Sequence, residues 1–299
     1  MEQEDFDRGE PQERYPKTLT LVRHAESQYN ALKKKSSQWP SFQTFNQRFH
    51  EEYYGDSDSK EVRRDIDVEV LEGRCPSPEL REYALGYYRD IKDLMQGVSD
   101  FDTPITERGE RQADETGQHI ADVIEKPDII YLSPYLRTRQ TLDAILRGAP
   151  ADWSDVQQWQ NESIREQEHG MQTVFNDWRL SFVFEPMEML HWIKQGPYSY
   201  RYKGGESKFD VRSRASRFLG RLRRKHEGEN VLVVTHHLTI LSTLAELLHW
   251  SREDFLRWDE ERKPDNCGVT IFRREEKASR TGRDLLRLKD EDYSRKLYR

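Results

Sequence analysis

Two histidines each follow a short apolar run. Arg23-His24 comes after Thr18-Leu19-Thr20-Leu21-Val22, and Thr235-His236-His237 comes after Val231-Leu232-Val233-Val234. An imidazole at a strand exit can offer a ring nitrogen to a cleft, as nucleophile or proton carrier. The guanidinium of Arg23 beside it is a planar fork of donors that matches phosphate oxygens. A third apolar run, Ile129-Ile130-Tyr131-Leu132, leads into Ser133-Pro134-Tyr135-Leu136-Arg137. Arg137 then falls on the first turn of a helix, where the backbone itself favours anions. The segment Ile164-Arg165-Glu166-Gln167-Glu168-His169-Gly170 supplies a carboxylate for proton transfer, although a surface glutamate would read the same way. The pair His236-His237 could instead suggest a metal, but no acidic or cysteine ligand lies at useful spacing, and no metal site is expected.

These groups need elements that bring them to one edge. The three apolar runs read as buried strands, rich in β-branched and aliphatic residues. Helical spacing follows in Ala113, Gly117, Ile120 and Ile124, in Leu142, Ile145 and Leu146, in Val211, Ala215, Phe218 and Leu222, and in Leu241, Leu244 and Leu248. Strands alternating with amphipathic helices predict an α/β fold with a mainly parallel sheet, whose ligands sit at the carboxyl ends of the strands. Val269-Thr270-Ile271-Phe272 and Leu285-Leu286-Arg287-Leu288 are expected to pair as edge strands through a turn containing Gly282.

Residues 33–100 have a different character. Phe42, Phe45, Phe49 and Tyr53 form one helical stripe, and Ser77-Pro78-Glu79 is a helix start feeding Leu80, Tyr83, Ala84, Tyr87, Ile91 and Leu94. A charged stretch from Gly55 to Gly73 separates them. The expectation is a helical insertion or cap over 33–100 within one domain spanning 18–299, with 1–17 as a flexible arm. The aromatic stripe reads as packed core of that cap rather than as a ligand box.

The chain has 299 residues, of which 34% are charged and 34% hydrophobic. That exceeds the ~25% charge of ordinary globular chains, but aromatic residues at 11% are enough for a real core. A net charge of −7 gives no basic excess for nucleic acid or an anionic membrane. Two cysteines, Cys75 and Cys267, are too few for a disulfide framework and read as reduced thiols. No secretory leader or long apolar span is legible, so a cytoplasmic location is expected.

Taken in order, the segments resemble the histidine phosphatase superfamily in its phosphoglycerate-mutase-like branch. Leu21 to Asn30 matches the Arg-His signature, and Thr103 to Ala113 the Leu-Thr-x-x-Gly-x-x-Gln-Ala segment. Ser133 to Thr141 matches the second-arginine segment and Ile164 to Gly170 the acid segment. Tyr202 to Ser207 matches the Gly-Glu-Ser segment, Val233 to Thr239 the second-histidine segment, and Asp265 to Thr270 the last core strand. The resemblance covers 18–30 and 101–290. It implies a three-layer α/β/α fold and a phosphohistidine mechanism. His24 is then the nucleophile, Glu166 the proton donor to the leaving oxygen, and Arg23, Arg137 and a charged His236 the stabilisers of the phosphoryl oxygens. Asn30 adds a neutral donor, and no metal or other cofactor is required. His237 stands where the family commonly has Gly; it and Arg201 are further candidates for the cleft lining.

The function this implies is hydrolysis of a small phosphomonoester. A cofactor-dependent phosphoglycerate mutase is the alternative, but mutases of this branch carry an Arg-Arg-Ser-Tyr-Asp stretch, and Gly170 to Gly204 has none. A non-catalytic scaffold of the same fold is the other alternative, and the complete set His24, Arg23, Arg137, Glu166 and His236 argues against it.

Overall fold

The computed structural model describes residues 15–55, 63, 65–73, 76–92, 99–170, 177–275 and 285–298. Its centre is a six-stranded sheet built from β1 (Thr18–Arg23), β2 (Ile129–Leu132), β3 (Gln158–Gln160), β4 (Asn230–Thr235), β5 (Val269–Glu275) and β6 (Leu285–Leu288). The spatial order is β3-β2-β4-β1-β5-β6. β3, β2, β4 and β1 run parallel, and β5 and β6 are antiparallel to their neighbours. The strands that precede the two histidines are therefore side by side, with Arg23 opposite Thr235.

Alternation along these strands sorts the core into two layers. Leu19, Leu21, Tyr131, Val231 and Val233 face one side, where α9 (Lys208–Lys225) and α10 (His237–Leu247) add Val211, Phe218, Leu222, Leu241 and Leu244. Val22, Ile130, Leu132, Leu232 and Val234 face the other, where α5 (Glu107–Ile120) and α6 (Leu136–Gly148) add Ala113, Ile120, Leu142 and Ile145. This is the expected three-layer arrangement. Helix α11 (Arg252–Glu261) joins the first layer through Phe255.

Several expectations need correction. β5 is not an edge strand, because it lies between β1 and β6; of the two, β6 alone is at a rim. Gly282 falls outside the described residues, as do Leu94 and Cys75. Residues 1–14 lie outside them too, but Tyr15 at the end of the arm is buried in the first layer, beneath the guanidinium of Arg223. β3 went unread because Gln158, Trp159 and Gln160 are all exposed, so burial leaves no apolar signature there.

The helical segment starts earlier than residue 33. Ser27 caps α1 (Gln28–Ser36) in a reciprocal pair with Asn30, directly after the Arg23-His24 strand exit. It continues as α2 (Pro40–Tyr53), α3 (Ile66–Leu71) and α4 (Pro78–Ile91), and α3 lies within the stretch read only as charged. Ser77 caps α4 as its sequence predicts, accepting from the N–H of Leu80. The stripe Phe45, Phe49 and Tyr53 is fully buried, in a third core shared with α7 (Trp178–Phe184) and α8 (Pro186–Ser199) through Leu180, Phe182, Val183, Met189 and Leu190. This third core thus draws on two parts of the chain, of which only the first was legible.

Candidate active site

Three adjacent parallel strands, β2, β4 and β1, deliver Ser133, His236 and His24 to one edge of the sheet. His24 is buried, its backbone N–H tied to the carbonyl of Thr235. Its ring Nδ1 lies 2.8 Å from the carbonyl oxygen of Ala25. A carbonyl only accepts, so Nδ1 carries the proton and Nε2 keeps its lone pair. Burial, with the charges of Arg137 and Arg23, holds the imidazole well below its usual range, so it stays neutral.

The turn after His24 is fixed from several sides. The N–H of Ala25 donates to Thr141 Oγ1 at 2.9 Å, and that of Glu26 to Gln112 Oε1 at 3.2 Å. Asn266 Nδ2 reaches the carbonyl of His24 at 2.9 Å and Asn30 Oδ1 at 3.2 Å. Gly109 on α5 packs directly on this turn: a Cβ there would stand 2.3 Å from the carbonyl oxygen of Glu26. The Gly of the Thr-x-x-Gly-x-x-Gln segment is thus a contact requirement, and its Gln is a hydrogen-bond partner.

His236 is fully buried, its ring centroid 5.2 Å from that of His24. Its Nε2 lies 2.7 Å from Ser133 Oγ, and Tyr135 packs edge-on against it with centroids 5.0 Å apart. Its Nδ1 is buried with no hydrogen-bond partner, as is Nε of Arg23. Two orphaned polar atoms beside a neutral imidazole suit a ligand with oxygens to share. His236 was expected to be charged. Instead burial, with Arg137, His24 and Arg23 nearby, holds it well below its ordinary range in the unliganded protein.

Arg23 donates through Nη1 to the carbonyl of Pro264 at 2.6 Å. Arg137, buried on the first turn of α6, sits over the Tyr135 ring at 4.6 Å and pairs with Asp100. The N-termini of α6 and α10 both lack a side-chain cap, and the positive ends of the two helix dipoles lie at the strand exits. Asn30 commits its Oδ1 to capping α1, which leaves its amide nitrogen as the donor. Glu166 is half-buried, and its charge acts on Arg23, His237 and Tyr135, placing it on the cleft side.

His237 Nε2 lies 3.0 Å from Asp259 Oδ1, and Lys208 Nζ lies 2.5 Å from Asp259 Oδ2. His237 also contributes to the potential at His24. Arg201 is different: it is open to solvent, and its Nη2 pairs with Asp210 at 2.6 Å. Asp100, Ser133, Tyr135, Gln112, Asn266 and Thr141 complete the site. Gln112 and Thr141 lay inside the quoted segments without a role, whereas Asp100 carried no signal at all.

The three-layer α/β fold carries two histidines side by side at its strand exits, and residues 90–283 match the histidine phosphatase superfamily (branch 1). The chain belongs to that superfamily. It is 29% identical over 189 residues to phosphoserine phosphatase 1 of Hydrogenobacter thermophilus, covering 62% of this chain and 80% of that one. It is 30% identical over 178 residues to the phosphoglycerate mutase-like protein AT74H of Arabidopsis thaliana, covering 53% of this chain and 60% of that one. The fold is similar to the alpha-ribazole phosphatase of Shigella flexneri, with a TM-score of 0.52 at 17% identity over 91% of this chain and 95% of that one.

Proposed function

We propose that this protein is a metal-independent phosphatase that hydrolyses a small phosphomonoester through a phosphohistidine on His24. The observation that carries this is the state of the His24 ring: Nδ1 bonded to the carbonyl of Ala25, and the imidazole kept neutral beside two arginines. A neutral Nε2 next to concentrated positive charge suits attack on a phosphorus whose oxygens are negative.

In the first step the Nε2 lone pair forms a bond to phosphorus, and the bond to the leaving oxygen breaks. Glu166, protonated at that point, gives its proton to that oxygen. Arg23, Arg137, the Asn30 amide and the helix N-termini spread positive charge over the phosphoryl oxygens. In the second step Glu166 accepts a proton from water as the water oxygen bonds to phosphorus, and the N–P electrons return to His24. The two arginines supply the charge that a metal ion would otherwise bring. Among the described residues no three His, Cys, Asp or Glu side chains gather as a metal-binding group. We read the helices that share the third core as a cap that restricts the substrate to small molecules; no described helix is long and apolar enough to cross a membrane.

The test is a quench experiment with labelled aryl phosphate in the presence of a chelator. An alkali-stable, acid-labile phosphoryl adduct, absent in His24→Ala, is the expected result. An acid-stable, alkali-labile adduct would mean a carboxylate nucleophile, and activity abolished by chelation would remove the assignment of charge stabilisation to the arginines.

A further inference from the structure

The loop that carries Glu166 has no regular structure of its own. After the short turn Glu162–Ile164 it runs irregularly to Gly170, and three other parts of the chain grip it. Arg214 on α9, 4% exposed, donates through Nη1 to the carbonyls of Ser163 at 3.0 Å and Arg165 at 3.1 Å. Its Nη2 donates to the carbonyl of Glu166 itself at 3.2 Å. The same guanidinium forms a two-pronged pair with Glu206, Nε and Nη2 each 2.9 Å from one carboxylate oxygen.

Glu206, in turn, reaches back into the loop. Its carboxylate accepts from Arg165 Nη2 at 2.8 Å and from the Glu168 N–H at 3.2 Å. Its backbone carbonyl accepts from Gln167 Nε2 at 2.7 Å, and its N–H donates to the Glu168 carbonyl at 2.7 Å. From α10, Thr239 Oγ1 donates to the carbonyl of Arg165 at 2.8 Å. The Gly-Glu-Ser turn can come this close because residue 205 has no side chain: a Cβ on Gly205 would stand 2.4 Å from the carbonyl oxygen of Glu168.

A carboxylate shared by two guanidiniums at low exposure is costly to bury and is weak grounds for stability alone. Here the fork's donors end on the backbone carbonyls on either side of a single side chain. We infer that Glu206 and Arg214 are positioning residues, which fix the direction in which the Glu166 carboxyl faces the leaving oxygen. This rests on the reading of Glu166 as the proton donor. Neither residue touches the phosphoryl group; both act through the loop, so their loss should scale with how much proton delivery the substrate needs.

The experiment compares an alkyl phosphate, whose leaving group needs protonation, with an activated aryl phosphate, which needs little. In Glu206→Gln and Arg214→Lys, kcat/KM on the alkyl substrate, which reports the phosphorylation step alone, should fall by about 10²-fold, in the range of lost acid catalysis. On the aryl substrate kcat/KM should fall by no more than about threefold, while hydrolysis of the phosphoenzyme, which uses the same carboxylate, slows equally for both. Glu206→Gln added to Glu166→Gln should cost nothing further on the alkyl substrate. Equal losses of kcat/KM on both substrates, or additive losses in the double variant, would overturn the positioning role. Should either variant melt below assay temperature, Thr239→Val, which removes one grip without stranding a charge, is read against the same ratio. A crystal structure of Glu206→Gln with residues 163–168 undisplaced would overturn the inference whatever the kinetics. By contrast, a wild-type protein inactive on both substrates, or Glu166→Gln with no leaving-group dependence, would overturn the proposed chemistry instead.

Discussion

Asp100 holds the guanidinium of Arg137 from both ends. Nη1 donates to the backbone carbonyl of Asp100 at 2.5 Å and to its Oδ1 at 3.0 Å, and Nη2 lies 3.4 Å from Oδ2. The Arg137 side chain is nearly buried, whereas Asp100 keeps about a third of its own exposed. A phosphate approaching Arg137 therefore meets a carboxylate already using the same donors. Replacing Asp100 with Asn keeps the shape and the carbonyl contact but removes the competing charge. Inorganic phosphate or vanadate should then inhibit more tightly, by about two- to fivefold, the scale of one partly exposed ion pair. Weaker inhibition would assign Asp100 to orienting Arg137 rather than competing for it.

His24 and His236 are both held well below the ordinary imidazole range by burial and by Arg137. Unfolded, each would titrate near ~6.5. Below that pH the unfolded chain binds protons that the folded chain refuses, so stability falls as pH drops from ~6.5 toward the folded values and is unaffected above it. Urea midpoints from about pH 7.5 to 5 should show this acid loss, and His24→Asn, which cannot titrate, should show a shallower one. For the same reason the acid limb of kcat/KM should lie below ~6.5, since the nucleophile stays free of its proton.

The neutrality of His236 has a second consequence. Its orphaned Nδ1 can serve a phosphoryl oxygen as a donor only with a proton on it, and a dianion beside the ring favours that proton. Binding of inorganic phosphate at about pH 7.5 should take up close to one proton in wild type and less in His236→Asn. Calorimetry in buffers of different ionisation enthalpy measures this directly. No uptake in wild type would make His236 a neutral partner throughout, with Ser133 Oγ fixing its tautomer.

The helices proposed as a cap share a core with α7 and α8, so cutting out 36–98 would strip the faces of Leu180, Phe182 and Met189 as well. A point change is the cleaner probe. Phe49 is fully buried against Phe45, Tyr53 and Trp178. Phe49→Ala should cost about 3–5 kcal/mol where that core is concerned. Relative rates on small and large phosphomonoesters should shift with it. Unchanged ratios in a variant of lowered melting temperature would separate the cap from substrate selection.

What was legible in the sequence followed from burial on both faces. β1, β2 and β4 are apolar on both sides, and their exits carry residue types that stand out. β3 and α3 were not legible, because one is exposed along its length and the other is a short element among charges. Of the site, His24, Arg23, Arg137, His236 and Glu166 could be nominated from residue type and resemblance. Asp100, Asn266 and Arg214 could not, since their roles depend on meeting Arg137, His24 and the 163–166 carbonyls across long stretches of chain. That His236 is neutral in the unliganded protein could not be read from composition either, because complete burial and the neighbouring arginines oppose the proton there.

β1 lies between β4 and β5, and Thr18 is bonded to Asn230 across a separation of 212 residues. On a ribosome the strand bearing His24 emerges long before β4 and β5, the two strands it must pair with. At ordinary elongation rates that gap is roughly 10–40 s. Through that interval the helices of the cap can fold on local contacts while β1 waits unpaired, exposed to other edges. A nascent or truncated chain that stops short of β5 therefore leaves His24 without the Asn266 bond to its carbonyl and leaves β1 open along one side. The surroundings of His24 are complete only when β4 and β5 have closed on either side of β1.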